Sequence, residues 1–372
     1  LTQRRFTYLP GEANQQWIIP VNIKIFKSSG ESEEISSLLM GKDTSIKILN
    51  DVVAYKVNYG QMGFYRTKYV EEQNIRALGQ KVKSKELPPE DRWGIQNDLY
   101  ALVKGGEYTV DNYLDFLFNY TDEDAFLPLT SIAKNLLHTY LITEGARKEK
   151  VASFGKSFSE DVLSKIQYQP EEDEKHTTSL LRDQILWNAV IYGSEIASNF
   201  AFDHFSELMR GGFIHPDLMR SIMQTGAWKG HERAFEWFDK RLKTSESEHE
   251  RMNVLVAMGS FREKPFIEKV LQYILDHVPH RNKFIPICAM ATNPYAMHSM
   301  WAWYLSNLTQ LESLHPIQYE RIIAEIIPFC GIGREEEIVT FFEDYMKKRD
   351  KGKETIKLSL ERLEINRRIR TS

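Results

Sequence analysis

The chain has 372 residues, of which 42% are apolar, 27% are charged and 12% are aromatic, a composition typical of a globular protein with enough material for two or more domains. Its formal net charge is −4 and it contains no long block of one sign, so the sequence gives no support to nucleic-acid binding or to a role at a membrane surface. Its apolar stretches are shorter than the roughly 20 residues that cross a bilayer.

The first residue and the cysteine content predict how the chain is processed and in which cellular compartment it works. The chain begins at Leu1 rather than Met and shows no secretory signal, which predicts an excised or processed piece. Cys288 and Cys330 are the two cysteines, so a disulfide framework is excluded. Two lone cysteines in a chain of this size favour a reducing compartment. We therefore expect a cytoplasmic protein.

Residues 1–70 alternate in the manner of β-strands. Alternation of apolar and polar residues, interrupted by turn residues at Pro10-Gly11 and at 28–31, predicts short strands about every ten residues. The predicted strands are Arg4–Leu9, Trp17–Phe26, Glu34–Leu39, Ser45–Leu49 and Ala54–Asn58. This spacing predicts a small antiparallel β-sandwich domain over residues 1–70, with one face buried.

From residue 71 onward the apolar period becomes helical. Helices of 10 to 20 residues, separated by short Gly, Pro or Ser/Thr loops, predict a stack of antiparallel pairs over residues 71–372. The predicted helices are Arg92–Val103, Asp111–Tyr120, Ala125–Thr143, Ala146–Tyr168, Ser179–Tyr192, Ile196–Arg210, His215–Thr225, His231–Lys243, Glu248–Met258, Pro265–His277, Met297–Leu308, Pro316–Ile327, Glu335–Lys348 and Glu354–Arg370. No sequence repeat of fixed length occurs, so we predict a mostly α fold with an irregular α-α superhelix of the HEAT or armadillo kind. Its concave face would cup a partner.

A search for chemistry predicts no catalytic residue and no metal ligand. His231-Glu232 begins like a zinc-protease helix, but position 235 is Phe where a second histidine would be needed. Cys288 and Cys330 lie in apolar surroundings that do not activate a thiol. The aromatic run from Met297 to Leu305 fits a helix packed on two sides, which favours core over a ligand pocket.

Five segments, in order, carry a family resemblance. They are Gln3–Phe6, Trp17–Val21, Asn58–Tyr69 with its Gly63-Phe64-Tyr65-Arg66 run, Leu87–Leu99 with Asp91-Arg92 and Asn97-Asp98, and Asn293, Trp301 and Leu305 together with Leu360–Arg367. Together they resemble the C-terminal half of the gluzincin zinc aminopeptidases, of the puromycin-sensitive and tricorn-interacting-factor type.

The resemblance implies that the catalytic half lies outside this chain. That half would hold the zinc ion, the H-E-x-x-H-x18-E ligands, the Gly-x-Met-x-Asn strand and the catalytic tyrosine, so no cofactor is expected here. The chain itself would close over the active site and bind the C-terminal side of the peptide substrate. Its expected partners are its own N-terminal catalytic domain and peptides. The alternative is a stand-alone helical-repeat adaptor that binds a protein partner.

Arginine is the residue type best suited to the carboxylate at the far end of such a peptide, because its planar fork pairs with both oxygens. The predicted substrate-binding residues are Arg66, Arg92, Arg182 and Arg321. For Arg92 a second interpretation stays open, namely an ion pair with Asp91 or Asp98 at the start of its helix.

Overall fold

The computed structural model describes residues 1–9, 11, 14–48 and 51–371. The fold is mostly α, with one small antiparallel sheet, as predicted. The described residues pack into two compact units, Leu1–Asn135 and Leu136–Thr371. The first unit contains the sheet together with several helices, and the predicted domain boundary at residue 70 stays a prediction.

The sheet has three strands in the order β2-β1-β3. They are β1 Ile19–Lys27, β2 Ser32–Leu39 and β3 Val52–Val57. Both pairings are antiparallel, with Ile23 opposite Ile35 of β2 and opposite Val57 of β3. Val21, Ile23 and Ile25 of β1 are buried, which places every second side chain of this strand on the core side of the pleat.

Three of the five predicted strands correspond to observed ones, and two predictions are wrong. Residues 4–9 and 45–48 belong to no strand, while Leu49 and Pro10 lie outside the described residues. The described residues therefore form one sheet rather than two facing ones. The physical reason is that a strand forms only when its backbone N–H and C=O groups bond to a neighbouring strand. Alternation of apolar and polar residues does not supply that neighbour. Near these segments the structure has an isolated bridge, Thr2 to Asp43.

The first unit continues with helices whose ends follow the sequence signals. α1 is Glu72–Lys83, α2 is Pro89–Lys104 and α3 is Val110–Leu117. Pro89 takes the first position of α2, where a missing N–H costs nothing, so the helix begins three residues before the predicted start at Arg92. The fourth helix, α4 Phe126–Ile142, contains the boundary between the two units. The sequence analysis missed α1.

Two of the segments that carry the family resemblance hold each other inside the first unit. The buried carboxylate of Asp91 on α2 accepts hydrogen bonds from the Gly60 backbone N–H at 2.9 and 3.1 Å and pairs with the buried Lys56 ammonium at 3.2 Å. Asp98, two turns further on, accepts from the Thr67 backbone N–H at 3.0 Å. These contacts hold the 58–69 segment against α2. Asp91 and Asp98 therefore stabilise the fold of the first unit.

The second unit is a stack of helices. They are α5 Gly145–Ile166, α6 His176–Ile191, α7 Glu195–Met209, α8 Met219–Lys229, α9 Glu232–Thr244, α10 Glu248–Met258, α11 Lys264–Asp276, α12 Phe284–Ala291, α13 Met297–Ser306, α14 Leu308–Glu312, α15 Pro316–Glu325, α16 Glu335–Lys348 and α17 Lys353–Thr371. A π-helical segment, Ile326–Cys330, follows α15. The sequence analysis missed α12.

The helices of the second unit form two layers. In one layer α6, α8, α10, α12, α15 and α17 each pack on the next. The other layer contains α5, α7, α9, α11 and α16, each packed on a member of the first. A two-layered stack of unequal helices is the arrangement expected of an irregular α-α repeat fold.

Part of the aromatic run on α13 is core, as predicted, whereas Leu305 at its end is exposed. Trp301 and Tyr304 are buried, and their rings stack with centroids 5.6 Å apart. The Trp301 indole N–H donates to Glu337 Oε1 at 2.6 Å, and the Tyr304 hydroxyl bonds the Tyr319 hydroxyl at 2.7 Å. Each buried polar tip therefore has a partner, which leaves no feature of a ligand pocket at these two side chains.

Candidate functional site

A cluster of aromatic side chains in the second unit is the most site-like feature of the described residues. Trp187 contacts Trp228 edge to face with ring centroids 5.5 Å apart, and Trp228 contacts Tyr295 in the same way at 5.2 Å. Tyr140 and Tyr192 form a third edge-to-face pair at 5.4 Å. Tyr295 is close enough to Tyr140 to help raise the pKa of Tyr140, below the larger effect of burial, which joins the pairs into one aromatic cluster.

The helix ends place these side chains together. Trp187 lies near the end of α6, Trp228 in the last turn of α8, and Tyr295 just after α12. Because α6, α8, α10 and α12 follow one another in a layer, residues at their C-terminal ends come to one edge of that layer. Tyr192 also needs Gly155 on α5, where an added Cβ would lie 2.6 Å from its ring.

Two basic side chains border the aromatic cluster without an acidic partner. The Lys148 ammonium lies 4.6 Å from the centroid of the Tyr140 ring, and the Arg262 guanidinium lies 5.4 Å from that of Trp228. Neither forms a salt bridge with any carboxylate in the part of the chain that the structure describes. Burial lowers the pKa of the Lys148 ammonium, and the Glu144 carboxylate offsets this only in part. Both cations therefore keep their capacity for an anion.

The chemistry open to this cluster is binding. Helix C-terminal ends carry partial negative charge, so cation–π contacts and helix dipoles already give Lys148 and Arg262 a structural role. The cluster contains no nucleophile and no pair of acid and base groups. Tyr295 is half exposed, at 51%, whereas Trp228 is only 7% exposed, so a ligand would meet Tyr295, the half-buried Trp187 and the two cations.

The structure gives Arg92 a buried carboxylate partner. Arg92 is 4% exposed, and its Nε and Nη2 each donate to one oxygen of Glu123 at 2.7 Å, while Nη1 donates to the Leu87 carbonyl at 2.7 Å. The predicted ion-pair partners, Asp91 and Asp98, are wrong, because the pair forms with a residue in the segment before α4. Hydrogen bonding to Glu123 raises the pKa of Arg92.

Arg182 is held in the same way in the second unit. It is completely buried, and its guanidinium pairs with both oxygens of Glu174 and donates to the carbonyls of Ile166 and Gln167. Hydrogen bonding to Arg182 lowers the pKa of Glu174 to about 2. These contacts tie the segment between α5 and α6 to α6. They account for the position of Arg182 without a peptide.

Arg66 and Arg321 are more accessible. Arg66 lies 3.4 Å from Asp98 and its guanidinium lies 5.4 Å from the Phe6 ring centroid. Arg321, on α15, is exposed and packs over Phe284 at 5.0 Å. Within the second unit, α8, α10 and α12 separate Arg182 on α6 from Arg321 on α15. That any of the four predicted arginines binds peptide stays a prediction.

Sequence reasoning missed the aromatic cluster and its two cations. A signal was present, because aromatic residues lie near the ends of two predicted helices, Trp187 and Tyr192 in Ser179–Tyr192 and Trp228 just after His215–Thr225. Nothing local connects them to Lys148 or Arg262, which the layer brings near from other segments. No group of three His, Cys, Asp or Glu side chains among the described residues is placed to hold a metal ion. These residues therefore do not fit a zinc site.

Comparison with known proteins decides the family. A family model described as the ERAP1-like C-terminal domain matches residues 54–365. The chain belongs to the ERAP1-like C-terminal domain family. The match covers the end of the sheet and nearly all the helices, and it confirms the resemblance to the C-terminal half of gluzincin aminopeptidases.

The relatives of this ERAP1-like chain include two proteins with aminopeptidase names and a tricorn protease-interacting factor. Aminopeptidase 2 of Candida albicans is 24% identical over 362 residues, which are 95% of this chain and 39% of that protein. Leucyl aminopeptidase of Saccharolobus solfataricus is 23% identical over 348 residues, 92% of this chain and 41% of that protein. Tricorn protease-interacting factor F2 of Thermoplasma acidophilum is 27% identical over 375 residues, 96% of this chain and 43% of that protein. The chain thus spans about two fifths of the length of these relatives.

The helices of this ERAP1-like chain were compared with the length and hydropathy of membrane-spanning helices. Among the described residues, no helix combines the length and the apolar character needed to cross a membrane.

Proposed function

We propose that the chain is the non-catalytic C-terminal region of a cytoplasmic zinc aminopeptidase, where it closes over the active site of a preceding catalytic domain and binds the C-terminal side of peptide substrates. The observation that carries the binding role is the pair of cations, Lys148 and Arg262, on the faces of the aromatic cluster without a carboxylate partner. The aminopeptidase assignment is supported by the family and by the names of the relatives. The cytoplasmic setting rests on two cysteines that form no disulfide.

The substrate geometry explains why a carboxylate is the expected ligand. An aminopeptidase holds the N-terminus of its substrate at the catalytic centre, so a region that follows the catalytic domain meets the other end of the peptide. That end carries a carboxylate, and a hydrogen bond to a charged group contributes about 1.5–3 kcal/mol. The exposed aromatic faces would contact apolar side chains near the peptide terminus.

Among the four predicted arginines, the proposal retains Arg321 and Arg66 as secondary contacts. Arg321 is exposed and packs only on an aromatic ring, so it can turn toward a ligand without breaking an ion pair. Arg66 would give up a 3.4 Å contact with Asp98. Releasing Arg92 would instead strand the buried carboxylate of Glu123, at about 3–5 kcal/mol, and releasing Arg182 would break its pair with Glu174. We therefore assign those two a structural task.

A labelled peptide of about ten residues, prepared as the free acid and as the C-terminal amide, tests the proposal. We expect the chain to bind the acid about tenfold more tightly than the amide, since 1.4 kcal/mol corresponds to a factor of ten. The double variant Lys148→Ala/Arg262→Ala should lose this preference. Arg233→Ala, which removes an exposed cation on α9, is the control and should keep it.

Fluorescence anisotropy titrations at low and moderate salt give both affinities. Equal binding of acid and amide by the unaltered chain would refute carboxylate recognition and leave Lys148 and Arg262 as counter-charges for the helix ends. If the double variant keeps the preference of the unaltered chain for the free acid, the carboxylate binds elsewhere, at Arg321 or Arg66.

A further inference from the structure

One segment of the second unit contacts helices that lie far apart in the stack. It is residues 138–148, which form the end of α4 and the start of α5, and we call it the crossing segment. Its partners lie at the C-terminal ends of three members of the α6–α17 layer, namely Tyr192 after α6, Phe329 after α15, and Ile369 and Arg370 in the last turn of α17. The crossing segment therefore joins the two ends of this layer.

The contact with α17 is unlike those that hold successive layer members together. Hydrogen bonds between successive members join residues 34 to 38 positions apart, namely Gln224 with Ser260, Asn293 with Gly259, Arg362 with Ala324, and Asn366 with Pro328. Arg147 instead donates to the carbonyls of Ile369 and Arg370, 222 and 223 positions away, at 3.4 and 2.8 Å. In a stacked repeat each member contacts its neighbours, so a bond between the two ends means that the ends have met.

The C-terminal edge of the layer must curve to allow this contact. Packed helices lie about 8–10 Å apart, so the steps from α6 to α17 would span about 40–50 Å in a flat layer. Tyr140, which contacts the α6 side, and Arg147, which contacts the α17 side, are joined by at most about 25 Å of extended chain. Most of this short piece is helical, which shortens the distance further. The layer therefore closes on itself at a seam between the start of α5 and the end of α17.

Charged hydrogen bonds hold this seam. The last carbonyls of a helix have no backbone N–H partner within it, and they carry the negative end of the helix dipole. The half-buried Arg147 guanidinium supplies hydrogen-bond donors and a positive charge to those of α17. In return, Arg370 Nη1 lies 3.5 Å from Glu144 just before α5, and its Nη2 donates to Glu335 at 2.9 Å. Ion pairs that are partly open to water contribute little, so such a seam can break while the helices on either side stay folded.

We propose that these contacts form a latch, and that the second unit opens and closes at this seam. Because α5 packs on α6 while α17 packs on α15, opening leaves the crossing segment with α6 and carries the end of α17 away from it. Tyr140 and Lys148 belong to the crossing segment, whereas Tyr295 follows α12 in the layer. Opening therefore draws Tyr140 away from Tyr295 and separates two parts of the aromatic cluster. The latch does not rest on carboxylate binding, but its control of the cluster rests on the function proposed above.

Hydrogen exchange on the intact chain tests the latch, with residues 138–150 and 362–371 read separately. Arg147→Ala should speed the exchange of 362–371, and Arg370→Ala should speed that of 138–150, each by about tenfold, because each variant breaks bonds whose other end lies across the seam. Helices α8 and α9, in the middle of the stack, should exchange as in the unaltered chain.

Arg251→Ala is the matched control. Arg251 also bonds a backbone carbonyl and a glutamate, those of Ser245 and Glu248, but both partners lie beside it in the sequence. Its replacement should leave the exchange of 138–150 and 362–371 unchanged.

Two results would overturn the latch. One is unchanged exchange on the opposite side of the seam in both alanine variants. The other is equally faster exchange throughout the chain, which would make these arginines supports of the whole fold. Should the alanine variants not fold, Glu144→Gln repeats the test, since it weakens the exposed contact with Arg370 alone and should speed the exchange of 362–371 by a smaller factor.

The peptide pair described above tests the control of the aromatic cluster. Arg147→Ala should reduce the preference for the free acid over the amide, since the open seam separates Tyr140 and Lys148 from Tyr295. An unchanged preference in a variant whose seam is open would overturn this second step. The exchange measurements contain no peptide, so a failure of the latch and a failure of carboxylate recognition are distinguishable.

Discussion

At the scale of single residues, the charged groups that carry the family resemblance serve the interior of the first unit. Asp91 accepts from Gly60 and pairs with Lys56, Asp98 accepts from Thr67, and Arg92 pairs with a partner on a later segment. A sequence shows that Asp91-Arg92 is charged and lies at a helix start. It does not show that Arg92 turns to Glu123, 31 residues away, because that contact exists only after α2 and the start of α4 have packed.

The Arg92–Glu123 pair gives the first stability prediction. Replacing Arg92 with Ala leaves the Glu123 carboxylate buried without its cation, and breaking a buried pair in this way costs about 3–5 kcal/mol. We expect Arg92→Ala to lower the melting temperature by several degrees, measured by calorimetry or circular dichroism. Arg76→Ala, which breaks the exposed pair with Glu72, is the matched control and should leave the melt unchanged. Equal melts for the two variants would contradict a buried pair.

Asp98 gives a prediction of pH dependence. Burial raises the pKa of this carboxyl from its ordinary 3.8 to about 6, against smaller opposing effects of Thr67 and Arg66. Between these two values the folded chain binds more protons than the unfolded one, so stability falls as pH rises from about 4 to 6. A shift of about two units corresponds to roughly 3 kcal/mol. Above pH 6 this contribution stays constant.

Asp98→Asn tests that sign. The asparagine carbonyl can still accept the Thr67 N–H, but it does not ionise, so its share of the pH dependence disappears. We expect urea unfolding at several pH values to show a smaller fall in stability between pH 4 and 6 for the variant, and equal or greater stability at pH 7. Asp122→Asn, at an exposed position, should follow the unaltered chain. Parallel curves for the unaltered chain and Asp98→Asn would count against the raised pKa.

At the scale of elements, helices were predictable and strand partners were not. A helix satisfies its backbone within its own segment, so an apolar period and a stop signal such as the Gly105-Gly106 pair after α2 are enough to place it. A strand depends on a neighbour that can be distant in the sequence. The segment 45–48 has the alternation of a strand but forms no backbone ladder with the other described residues, which is why the prediction failed there.

The aromatic cluster shows the same limit for a site. Stop signals follow α6 at Gly193 and α8 at Gly230, whereas α12 was missed altogether. That α6, α8, α10 and α12 pack in series is a property of the layer, and only the layer brings Arg262 over Trp228. The individual aromatic and basic residues could be read from the sequence, but which of them lie next to each other could not.

At the scale of the whole molecule, the described residues offer no set of ligands of the kind that holds catalytic zinc. Catalytic zinc is held by three protein ligands that leave one position open for water. No group of three potential ligands occurs among the described residues. Each of the two units buries its own apolar side chains and so has a core. We therefore predict a chain that folds and is inert.

Aminoacyl-coumarin substrates with added zinc measure this directly. The purified chain should release no coumarin above the buffer rate, while its circular dichroism spectrum and cooperative melt show that it is folded. A zinc chelator added to a parallel sample is the control, because a trace of contaminating metalloenzyme would also be chelator-sensitive but would separate from the chain on further purification. Chelator-sensitive hydrolysis that stays proportional to the chain through successive columns would mean that distant segments assemble a metal site, and the assignment of catalysis to a preceding domain would fall with it.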